Sequence, residues 1–89
     1  MNEIKLPVVE LLAGLAEEAA ELAQAALKLR RVYDGTNPTP KLESVAIDDL
    51  YEEIADTLLY VDQLKLNLDE IERVKAEKLK RWRRRLSEV

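Results

Sequence analysis

From Val8 to about residue 33 the apolar positions return every three or four residues. Leu11, Leu15, Leu22, Ala25 and Leu29 fall on one stripe, and Glu10, Glu17, Glu21, Gln24, Lys28 and Arg31 on another. That period predicts an amphipathic helix over about residues 7–33. Pro7 suits its first turn, where no N–H is needed, and Gly14 is a weak point that could bend or divide it. Asp34-Gly35 and the following Thr36-Asn37-Pro38-Thr39-Pro40 end it in a turn and a loop over about 34–47. Asp49 with Glu52 reads as a capping box opening a second helix over about 48–66, and Asp69 with Glu72 as one opening a third over about 69–86. The short connection at Asn67-Leu68-Asp69 predicts that helices two and three form an antiparallel hairpin. No stretch alternates as a strand would. The expected fold is all-α, an antiparallel bundle of three helices in a single domain over residues 1–89.

Two acids, Glu18 and Asp56, interrupt the apolar pattern, and each has a second acid one turn away. Glu18 stands on the same stripe as Leu11, Leu15, Leu22, Ala25 and Leu29, and Glu21 flanks that stripe one turn later. From Ile54 to Val61 every residue is apolar or aromatic except Asp56 and Thr57, and Glu53 precedes Asp56 by one turn. Carboxylates three residues apart share a helix face, with Cβ atoms about 5–6 Å apart. Such pairs repel and raise each other's pKa unless a cation joins them. Glu17 and Glu52, in the same two clusters, sit on polar faces and read as ordinary solvated acids.

Composition narrows what the cation can be. The chain has no histidine and no cysteine, so an ion must be held by oxygen, which selects Mg²⁺, Mn²⁺ or Ca²⁺. The same absence removes the usual general base and nucleophile. With four aromatics and no Phe in 89 residues, the core is thin, and a thin core favours oligomerisation. No leader and no apolar run of membrane-spanning length is present, so a cytoplasmic protein is expected. The net charge of −4 conceals a dipole: residues 1–72 carry 6 basic and 16 acidic side chains, and residues 73–89 carry 8 basic and 2 acidic.

A cluster of carboxylates holding Mg²⁺ suits hydrolysis of a polyphosphate. The metal neutralises phosphate charge and lowers the pKa of a bound water, and a carboxylate not engaged with it can orient or deprotonate that water. Lys78, with Ile71, Val74 and Trp82 as helical neighbours, is a candidate phosphate contact, and Lys28, two turns after Glu21, a weaker one. Lys75 more simply covers apolar surface with its stem. The run Lys80-Arg81-Trp82-Arg83-Arg84-Arg85 invites a nucleic-acid reading, but the anionic body would repel a polyanion. The other alternative is a non-catalytic helical oligomerisation or interaction module with an acidic face.

Together these residues resemble the MazG-like, all-α nucleoside triphosphate pyrophosphohydrolases. Glu18-Ala19-Ala20-Glu21 matches the ExxE pair of that family and Glu53-Ile54-Ala55-Asp56 its ExxD pair. Leu15–Leu22 and Glu52–Tyr60 look like family segments, and Lys78-Leu79-Lys80-Arg81-Trp82 is similar to the basic stretch that contacts phosphates there. The likeness covers about residues 10–86. It implies hydrolysis of an NTP or dNTP between the α and β phosphates to the monophosphate and pyrophosphate. Mg²⁺, or Mn²⁺ in its place, would be bound by Glu18, Glu21, Glu53 and Asp56, with Lys78, Arg81 and Lys28 toward the phosphates. It also implies a homodimer or dimer of dimers, with partner helices completing the pocket. The chain has little N-terminal to the first helix, where larger relatives place base contacts, so base recognition falls to the loop of residues 34–46 or to a partner.

Overall fold

The computed structural model describes residues 5–37 and 41–88. It has three helices, α1 (Val8–Asp34), α2 (Glu43–Gln63) and α3 (Leu68–Ser87), and no strand among the described residues. The all-helical expectation is met. The Pro38-Thr39-Pro40 part of the expected loop lies outside the described residues.

α1 begins at Pro7, whose carbonyl accepts from the amides of Glu10 (2.9 Å) and Leu11 (3.1 Å). It ends at Gly35, which adopts a left-handed φ of 75° that L side chains rarely take. The Thr36 amide returns to the Arg31 carbonyl at 3.1 Å, and the Asp34 carboxylate accepts from the same amide at 3.0 Å. Gly14 does not divide the helix, which runs unbroken through it. A Cβ built there would lie 2.8 Å from the Tyr60 hydroxyl and closer still to the ring, so the missing side chain is what lets Tyr60 of α2 lie across α1.

α2 begins five residues before its expected start, and Asp49/Glu52 is not its cap. Its first carbonyl acceptor is that of Leu42, bonded to the amides of Val45 and Ala46, both at 3.1 Å. No glycine or proline follows Lys41 to stop a helix, and the added turn buries Ala46, which is 1% exposed. Asp49 lies inside the helix and pairs instead with Lys41 at 2.6 Å. α3 likewise starts at an earlier cap than Asp69: the Asn67 side chain accepts from the Glu70 amide at 3.0 Å.

α1 and α2 form an antiparallel hairpin, Gly14 opposite Tyr60 at one end and Ala25 beside Ala46 toward the other. Its innermost residues are Leu11, Ala25 and Ala46, with Leu15, Leu22 and Leu29 half-buried. The expected hairpin of helices two and three is absent, because α3 packs against neither α1 nor α2. A short connection keeps two helix ends close but does not fix the angle between them. Here Lys65 takes a left-handed φ of 54° and turns the chain away. No residue of α3 is buried. The single chain is therefore a two-helix hairpin carrying a third, unpacked helix.

Candidate metal centre

The antiparallel pairing brings the two acidic segments face to face. One carboxylate oxygen from each of Glu18, Glu53 and Asp56 lies within 4.8 Å of the others. Glu18 comes from the apolar stripe of α1; Glu53 and Asp56, three residues apart, come from successive turns of α2. Glu21 stands near Glu18 and Glu53, its charge acting on both carboxyls, but outside the converging three. Thr57, the other polar residue of that stretch, satisfies itself by donating to the Glu53 carbonyl at 2.8 Å. Glu17 and Glu52 are exposed, as their places on the polar faces predict.

Three negative groups in this space need compensation, and the described residues supply none. Among the described residues no lysine or arginine is ion-paired to Glu18, Glu53 or Asp56. One oxygen each of Glu18 and Glu53 is shut off from solvent with no hydrogen-bond partner. Desolvation by burial, then the charges of Glu21 and Asp56, raise the Glu18 carboxyl above its ordinary value of 4.5. Burial and then Glu21 raise that of Glu53. A carboxyl easier to protonate folded than unfolded stabilises the protein most below its unfolded value. That stability is lost as pH rises through the folded values. Metal-free protein should accordingly lose thermal stability on this account as pH rises above the ordinary carboxyl value of 4.5. Comparing its melting temperature across pH with that of Glu18→Gln/Glu53→Gln isolates the effect. Identical profiles would show that the cluster carries no such strain.

Two clefts flank the cluster. One is lined by Leu6, Leu11, Leu59, Tyr60 and Gln63 beside Glu18 and Asp56, and the other by Gln24, Lys28 and Asp49 beside Glu21 and Glu53. Lys28 is thus next to the acids. Lys78 and Arg81 are not: they lie on unpacked α3, and no α3 residue lines either cleft. The loop expected to meet a base is shorter than predicted, since residues 43–46 belong to α2. Sequence reasoning passed over Tyr60 and Asp49 as site residues. Asp49 had a signal, since it precedes Glu53 by one turn and Glu53 precedes Asp56 by another.

Oxygen donors from two facing helices, two of them holding orphaned buried atoms, fit a hard divalent cation such as Mg²⁺ or Mn²⁺. Comparison with protein-family models, curated proteins and solved structures gives no match to this chain.

Proposed function

We propose that this chain is a Mg²⁺-dependent nucleoside triphosphate pyrophosphohydrolase that cleaves an NTP or dNTP between its α and β phosphates. The single observation that carries the reading is the convergence of Glu18, Glu53 and Asp56 without a cation of the protein's own. It is supported by the resemblance of these acids and their flanks to the MazG-like pattern. Glu18, Glu53 and Asp56 would hold the metal, with Glu21 as a fourth carboxylate able to join them. Bound there, the ion supplies neutralisation of the polyphosphate and a water of lowered pKa.

The remaining work falls to the chain. Glu21 and Glu53 face the cleft that also holds Lys28. In that cleft Glu21, outside the converging set, orients the attacking water and accepts its proton. The water oxygen bonds to the α phosphorus, the bond from that phosphorus to the bridging oxygen breaks, and pyrophosphate leaves with the electron pair. Lys28 offers a mobile positive charge to the departing phosphates. Tyr60 and Leu11 wall the apolar cleft on the far side of the acids. The reading includes self-association, since the hairpin has so little interior of its own, and no helix is long and apolar enough among the described residues to cross a membrane.

The test is a panel of ribo- and deoxyribonucleoside triphosphates with Mg²⁺, scored for monophosphate and pyrophosphate in equal amounts. Release of orthophosphate alone, or no turnover of any member, would overturn the proposal. EDTA should abolish the activity, and Mn²⁺ should restore it.

A further inference from the structure

The two halves of α3 differ in charge. In the proximal half the cations are engaged within the helix: Arg73 pairs with Glu70, and Lys75 with Glu72 at 3.3 Å. In the distal half, six of the nine residues 78–86 are Lys or Arg and none is acidic. Those six cations have no acidic partner among the described residues. Between them Leu79, Trp82 and Leu86 continue the stripe that Leu68 and Ile71 begin, and all five are exposed, Trp82 at 63%. At about 100° per residue, Lys78 and Arg85 border that stripe on one side and Arg83 on the other. α3 packs against neither α1 nor α2, and none of its residues is buried.

We propose that the distal half of α3 is a peripheral anchor that lies in the plane of an anionic lipid surface. Leu79, Trp82 and Leu86 enter the boundary between headgroups and acyl chains, and the flanking cations meet headgroup phosphates. A helix with one apolar stripe and a cationic remainder is the form that lies on such an interface. Tryptophan suits headgroup depth, its ring apolar and its N–H wet. Lys and Arg at the stripe's edges lay their stems along the apolar zone and keep their charges outside it.

Two observations select this occupant. The unpaired cations fix the sign of the partner, and each one close to an anionic leaflet adds to the attraction. The stripe then selects lipid over nucleic acid. A polynucleotide could pair with the cations and stack on Trp82, but it would leave Leu68, Ile71, Leu79 and Leu86 in water. The negative hairpin does not cancel the attraction. Lys78 stands ten residues into α3, about 15 Å along the rod, and exposed charges are screened over about 8 Å at physiological ionic strength. Such an attachment needs no spanning helix, and it does not depend on the reading of the acids as a hydrolase centre.

Trp82 is the only tryptophan in the chain, so its emission reports on this helix alone. The full chain is mixed with phosphatidylcholine vesicles, with or without one quarter phosphatidylglycerol, at physiological salt. The expected result is flotation with the anionic vesicles only, a blue shift of Trp82 and its quenching by lipids brominated in the acyl chain. Arg83→Ala/Arg84→Ala/Arg85→Ala should weaken the partition about a hundredfold, while the matching triple Lys variant should keep it. Leu79→Ser should reduce both the shift and the quenching. Circular dichroism without lipid checks that each variant keeps its helices. No flotation, or equal flotation with neutral vesicles, would overturn the proposal. So would binding that leaves Trp82 in water, or tighter binding to duplex DNA than to the anionic vesicles at the same salt. A Trp82 emission already blue-shifted in concentrated lipid-free protein would show that a second copy covers the stripe, and would overturn it too.

Discussion

Replacing Glu53 with glutamine should cut turnover about a hundredfold or more while raising the melting temperature of the metal-free protein. The two effects have one cause. The Glu53 carboxylate has an oxygen cut off from solvent and unpartnered, and it faces Glu18, Glu21 and Asp56. Taking its charge away removes a repulsion that only a cation relieves, so the hairpin gains and the metal loses a ligand. Mg²⁺ should therefore raise the melting temperature of the wild type and leave that of Glu53→Gln almost unmoved. Glu52→Gln is the matched control: its side chain is exposed, and neither quantity should change. Calorimetry in EDTA and in Mg²⁺, beside a pyrophosphate assay, reads both. A variant that loses activity but melts lower without metal would show that Glu53 is a structural residue and not a strained ligand.

Ala46→Leu should destabilise the hairpin by overpacking, costing about 1–3 kcal/mol. Ala46 is 1% exposed and Ala25 7%, and both line the cleft that holds Glu21, Lys28 and Glu53. Small side chains on each helix let the backbones approach there, and three added carbons would force them apart. Leu11→Ala, at the other end, acts by the opposite means. Leu11 is 4% exposed, and its truncation leaves a void worth about 2–5 kcal/mol in a well-packed core, with the low end expected where neighbours are half-exposed. Urea titrations rank the two. Ala46→Leu should additionally weaken Mg²⁺ binding, because it moves α2 against the helix bearing Glu18, whereas Leu11→Ala should not.

The acids were legible in the sequence because they contradict their surroundings. Glu18 and Asp56 interrupt apolar runs whose period is unambiguous, so two helices with misplaced carboxylates already implied that the misfits meet. The start of α2 was not legible. Leu42 carries no capping side chain, while Asp49 and Glu52 imitate a capping box only because acids four and three residues apart recur along this helix. Gly14 looked like a helix defect, since one strand of sequence shows the propensity cost of glycine but not the tyrosine on the facing helix that needs the space. The placement of α3 was beyond reach for a different reason. Its apolar stripe states that something must cover it, and its charge states the sign of that surface, but neither says whether the cover belongs to the same chain.

The joint at Lys65 has a mechanical consequence. α3 spans Leu68–Ser87, 20 residues, or about 30 Å of rigid rod, and it is anchored at one end by four residues. A rotation of about 10° at that joint swings the far tip by about 5 Å over such a length, roughly one turn of helix. The left-handed backbone of Lys65, a conformation costing a side-chain-bearing residue about 1–2 kcal/mol, thus aims Lys78, Arg81 and Trp82 from a distance. Substitutions in this linker would leave the hairpin's own packing in place and yet redirect the 20 residues of α3, so the pointing accuracy of the lever resides in the backbone of the joint and not in the rod it carries.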